Sequence, residues 1–169
     1  ELHVAEGAGV IDLSGVGEDL RGRVVVSGAR VSDTAAEMRF RPVKAAGELK
    51  AARGDWTGIF SLNDLAGRRL ADGNLSQGRD GRGGVRFDTG MLAFAPGGLQ
   101  PIGLSPFAAV LGSPAEGRAR FVGQMDWGEG EPTSHGTLLV ERLDFVSPMG
   151  PVVGLSGQAQ FDSLLPLKA

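Results

Sequence analysis

The sequence predicts an all-β fold: an antiparallel sheet with one apolar and one polar face, and at most one or two short helices. Three observations predict it. Apolar and polar residues alternate with period two, most cleanly over 118–127. There Ala119, Phe121, Gly123, Met125 and Trp127 share one parity, and Arg118, Arg120, Gln124 and Asp126 the other. Strand side chains point alternately to opposite faces, so one parity means one face. Glycine accounts for 28 of 169 residues, roughly twice the usual ~7 %, and it falls between apolar runs as strand punctuation. Turn signals separate these runs at roughly 8–12-residue spacing, the habit of all-β chains.

The elements follow in order. Val10, Ile11 and Leu13 mark a short strand closed by Ser14-Gly15. Residues 23–31 make a stronger one, with the β-branched run Val24-Val25-Val26 and a weakening Gly28. Residues 37–43 alternate Met38 and Phe40 against Arg39 and Arg41, and Pro42 suits a strand end. Residues 48–53 form a weaker strand and 56–63 a new one. Over 64–70, Gly67 favours strand and turn over helix. Asp72-Gly73 and Asp80-Gly81 are turn dipeptides. Residues 84–88 and 91–95 are expected to pair as short strands around Thr89-Gly90. Ser105-Pro106, an apolar run and Gly112 have the grammar of a short helix: a capping Ser, a Pro at the first position and a terminating Gly. Residues 136–167 form a hairpin broken at 147–151 by Pro148, Gly150 and Pro151.

Composition excludes several functions. The net charge is −3 with both signs interspersed, which is no footprint for nucleic acid. Cysteine is absent, so no thiolate nucleophile, disulfide or Cys-zinc site exists. His3 lies near the start of the segment and His135 in a polar loop, and both read as solvated rather than catalytic. Serines lie in Leu-Ser-Gly and Leu-Ser-Pro contexts rather than a nucleophile elbow. Asp12, Asp88, Asp144 and Asp162 read as solvated strand-end carboxylates rather than a glycosidase pair. Gly15-Val16-Gly17 and Gly81-Arg82-Gly83-Gly84 read as turns, because no convincing helix follows either. The chain is not expected to be an enzyme, and no cofactor or metal is expected. It begins with Glu, holds no signal segment and no apolar run near the ~20 residues of a membrane span. Residues 1–169 are expected to be a single all-β segment excised from a longer protein. The edge strands so exposed are expected to favour edge-to-edge self-association.

A single sheet must bury its apolar face. On the residues alone two arrangements stay open: a closed β-sandwich needing no ligand, or an open gutter bent at glycines and bulges. Phe121, Met125, Leu139, Leu143, Phe145, Leu155 and Phe161 share parity within their strands. They are expected to form one continuous apolar surface.

Specific runs carry a resemblance. Phe94-Ala95-Pro96-Gly97-Gly98-Leu99-Gln100-Pro101 is followed by Leu104-Ser105-Pro106 and by 115–121, Ala-Glu-Gly-Arg-Ala-Arg-Phe. Then come Gly136-Thr137-Leu138, Leu143-Asp144-Phe145, Ser147-Pro148-Met149-Gly150-Pro151-Val152, Gly154-Leu155-Ser156-Gly157 and 161–167, Phe-Asp-Ser-Leu-Leu-Pro-Leu. Over about 82–167 the chain resembles the C-terminal region of YdbH-like proteins, of the AsmA-like group that includes TamB. The resemblance implies an elongated, curved antiparallel sheet forming a β-groove, or β-taco. It implies a periplasmic bridge, anchored in the inner membrane through a segment not present here, that conducts phospholipid between two membranes. It also implies a small outer-membrane lipoprotein as partner, and the domain family carries a dicarboxylate-transport label as well. No catalytic residue comes with it.

Overall fold

A computed structural model describes residues 2–36, 38–112 and 114–164. Eleven strands run in chain order: β1 Leu2–Ala5, β2 Gly9–Ser14, β3 Arg21–Asp33, β4 Val43–Ala52, β5 Asp55–Asn63, β6 Arg69–Gln77, β7 Gly83–Asp88, β8 Leu92–Phe94, β9 Glu116–Trp127, β10 Thr133–Ser147 and β11 Gly150–Phe161. They form one antiparallel sheet, curved and open, in the order β1-β3-β4-β5-β6-β7-β9-β10-β11. At one edge β2 also pairs with β3, and β8 also pairs with β9. The described residues hold no second sheet, so the closed sandwich is not the arrangement formed.

Local chemistry explains most boundaries. The β4–β5 hairpin turns at Arg53-Gly54, both at positive φ. Gly67, at φ 90°, closes the turn before β6, where Asp64 Oδ1 accepts the Arg68 N–H at 2.7 Å. Ser147 and Gly150 flank the β10–β11 turn, with Ser147 Oγ donating to Gly150 O at 2.9 Å.

Three local expectations differ. Residues 84–88 and 91–95 do not pair with each other; β7 and β8 both pair with β9, in succession along it. Thr89 makes the transition, its N–H donating to Phe121 O and its Oγ1 accepting the Phe121 N–H. Asp72-Gly73 lies inside β6, cross-strand from Asp88 and Phe87, because the partner strands leave no room for a turn. The expected strand over 37–43 includes Glu37, outside the described residues, and β4 begins only at Val43. Arg39 is held instead by a loop contact: the buried Asp33 carboxylate accepts its backbone N–H and its guanidinium at 2.7–3.1 Å. β1, with an exposed Val4, had no clear pattern in the sequence.

The buried core is small and lies at one end of the sheet. It gathers Leu70, Phe94, Leu99, Ala115 and Leu143, with Val43, Leu104, Leu111 and Phe145 packed around them. Residues 95–112 and 114–115 cross this end as a cap with two 3-10 turns, Pro101–Gly103 and Pro106–Val110. The second is the expected helix, shortened to five residues, with Ser105 Oγ accepting the Phe107 N–H. Pairs of side-chain and backbone bonds stitch the cap down. Gln100 bonds both ways to Ala115, at 3.0 and 2.7 Å, which closes the cap on itself, and Arg41 N–H donates from outside it to Leu104 O at 2.8 Å.

Candidate functional site: an open apolar face

Residues directly paired in an antiparallel sheet project to the same face. Tracing pairs across the sheet therefore defines rows. One row runs Gly9, Val26, Gly47, Phe60, Gly73, Phe87, Gly123, Gly136, Phe161, from β2 to β11. Glycine and a bulky apolar residue alternate along it, with one doubled glycine.

The space around those glycines explains the alternation. A methyl group at Gly73 would lie 2.2 Å from Phe60 Cζ, and one at Gly123 2.6 Å from two ring carbons of Phe87. The rings therefore lie down over their neighbours' glycines instead of standing off the sheet. At the doubled Gly123–Gly136 step the gap is filled from within β9: a methyl at Gly136 would lie 2.7 Å from Phe121 Cζ. Phe121 then joins Phe87 at 5.7 Å and Phe161 at 6.2 Å between ring centroids, within the range of favourable aromatic pairs.

The flanking rows continue the surface. One runs Ile11, Val24, Leu49, Gly58, Leu75, Val85, Met125 and ends at the buried Ser134. Leu49 Cδ2 occupies the space above Gly58. On the capped side Ala29, Ala45, Leu62 and Ala71 align, and farther along Phe121, Leu138 and Ala159. From β3 to β10 the large side chains of these rows are half-buried rather than buried. They form a low, continuous hydrocarbon floor without ionisable groups.

The opposite face is polar. The row behind the glycines reads Val25, Glu48, Ile59, Asn74, Arg86, Gln124, His135. Arg118 pairs with Glu141 across strands at 3.0 Å, and Arg120 with Asp88. The Arg120 guanidinium, bonded to Asp88, holds that carboxyl below the usual range. Asp33 is likewise held well below it, first by the Arg39 side chain. These shifted groups serve structural ion pairs, and the described residues hold no cluster suited to a metal ion.

The register sorts the expected lining residues. Phe121, Met125 and Phe161 lie on the apolar face in the rows above. Leu143 is there too, but buried in the capped core at 4 % exposure, with Phe145 against it. Leu155 pairs with Leu143 and is 44 % exposed. Leu139 is on the other face, paired with Arg120 and Gln158. The cause is a bulge: the pairing shifts between Glu141 and Asp144, where Arg142 takes φ 47°. An extra residue there switches the parity that faces the apolar side. Phe60, Leu75, Val85 and Phe87 share this face and were not among the expected residues, although the parity of 56–63 and 84–88 carries the signal for all but Leu75.

The family model described as YdbH-like, intermembrane phospholipid transport protein YdbH, matches residues 2–169. No curated protein and no solved structure matches the chain.

Proposed function

The chain belongs to the YdbH-like family of intermembrane phospholipid transport proteins, and from that footing we propose that the apolar face of its curved sheet carries phospholipid acyl chains. The observation that supports this most is the glycine–aromatic row. Laying rings flat over glycines gives a smooth floor that runs across strands, which suits a chain that must slide. Contact with methylenes is non-directional and worth about 0.8 kcal/mol for each one fully buried. Such binding holds many acyl chains without selecting one, and releases each by small steps. The proposed lining is Phe60, Leu75, Val85, Phe87, Phe121, Met125 and Phe161. Leu155 extends it toward β11, while Leu143 and Phe145 close its end.

The working location that follows is the periplasm, between two membranes. No helix among the described residues is long and apolar enough to cross a membrane. The proposed partners are the phospholipid itself, a small outer-membrane lipoprotein and, through the open edges of β2 and β11, a second copy of the chain.

Two aspartate substitutions test the reading. Phe87→Asp puts a charge on the proposed track, and Ile59→Asp puts the same charge on the polar face, where Ile59 is 68 % exposed. A charge facing hydrocarbon is costly, so Phe87→Asp is expected to lose most of the phospholipid extractable from the purified protein. Water reaches this open face, so its melt should fall by no more than about 3 kcal/mol of stability. Ile59→Asp should keep both lipid and melt. Equal lipid in the two folded variants would refute the assigned track.

A further inference from the structure

We propose that the groove has a fixed polarity across its width: phospholipid headgroups sit at the Trp56–Gln77–Trp127 rim, and acyl chains run along the strands toward the capped end. This rests on the acyl-chain reading above and adds an orientation to it.

The two ends of the apolar face differ in chemistry. At one end a row pairs Ala51, Trp56, Gln77, Gly83 and Trp127. Trp127 Nε1–H donates to Gln77 Oε1, and Gln77 Nε2 donates to Gly78 O at 3.0 Å. Indole joins an apolar body to a polar handle, which suits a boundary between hydrocarbon and water. Inward of this row, the face carries no polar side chain from Ile11 to Met125. At the far end the cap buries hydrocarbon, with Leu99, Pro101, Ala115 and Leu143 inside and the Asp33–Arg39 pair beside them.

Just beyond the tryptophan rim, the turns carry both signs of charge. Arg79 pairs with Glu18 at 2.8 Å, and Arg82 with Glu129 at 2.9 Å, all of them exposed. Exposed pairs contribute little and exchange partners easily. A guanidinium also fits phosphate oxygens in a bidentate way. A rim of mixed sign therefore matches a headgroup that carries phosphate.

The dimensions agree. Trp127 and Phe121 are six residues apart on β9, about 20 Å of strand at roughly 3.3 Å per residue. Half of the ~30 Å hydrocarbon core of a bilayer is of the same order. One acyl chain fits between rim and cap.

The chain supplies its own reporter. It has two tryptophans and no tyrosine, and both tryptophans stand in the rim row. The 169-residue chain is loaded with phosphatidylcholine brominated either beside the ester or beside the terminal methyl, and tryptophan emission is read. Single-tryptophan variants Trp56→Phe and Trp127→Phe assign the signal. The expected result is several-fold stronger quenching by the label beside the ester, at both positions. Stronger quenching by the methyl-end label, or equal quenching by the two, overturns the orientation and leaves lipid binding standing. Quenching by neither label shows that no acyl chain reaches this face, and the proposed function falls with the orientation.

Discussion

At Gly123 the packed rings leave no room for even a methyl group, because the Phe87 ring lies 2.6 Å from where it would sit. Gly123→Val is therefore expected to destabilise by about 1–3 kcal/mol through overpacking. Phe87→Leu in the same chain should recover part of that loss, since residues in contact couple; urea melts of the four-member cycle measure it. The glycine count was legible in the sequence, but which ring covers which glycine was not. That depends on pairing between strands far apart in the chain, as Phe60 with Gly73 or Gly136 with Phe161. Leu143 teaches the converse. Its parity marks it as apolar-facing, yet at 4 % exposure it is core. Leu143→Asp is expected to cost more than about 4 kcal/mol, the range of a buried unpaired charge, and so to report on folding rather than on lipid.

Two elements set the shape of the face. The first is the bulge in β10. Nothing in Glu141-Arg142 announces it, since Arg is an unusual residue at φ 47°. The sequence shows the parity on each side of the bulge but not the switch between them. Deleting Arg142 should restore unbroken pairing and keep Leu143 and Phe145 on the apolar face, because Glu141 still meets Arg118 and Asp144 still meets Glu116. Amide exchange in 95–112 should then stay close to that of the parent chain, and a sharp rise would show that the bulge itself seats the cap. The second element is the cap, which Ser105-Pro106 announced and whose docking it did not. Asp33 holds Arg39, and Ser105 Oγ donates to Arg39 O. The Asp33 carboxyl is depressed in the folded state, so the unfolded chain takes up its proton first as pH falls. Its contribution is complete above the ordinary carboxylate range, about pH 4, and is lost as pH drops below that toward the folded value. Asp33→Asn should flatten acid destabilisation in that window, read as melting temperature against pH. At the edges, β2 is exposed along its whole length. Light scattering is expected to show mass rising with concentration, and a strict monomer would contradict self-pairing there.

For the molecule as a whole, alternation in single strands was enough to read an antiparallel sheet with two unlike faces. It could not decide between a sandwich and a gutter, because that choice depends on whether a second layer covers the apolar side. The structure leaves the middle of that side half-open and confines its core to the capped end. In the proposed function, acyl chains cover the rest. Two neighbouring pairs in the sequence, Ile59–Phe60 and Arg86–Phe87, place one residue on each face. A photoreactive benzophenone amino acid is put at each of the four positions, and the protein is irradiated in cells and probed for attached phospholipid. Lipid adducts are expected at 60 and 87 and none at 59 and 86. Adducts on both faces alike, or only at 59 and 86, would contradict the proposed function.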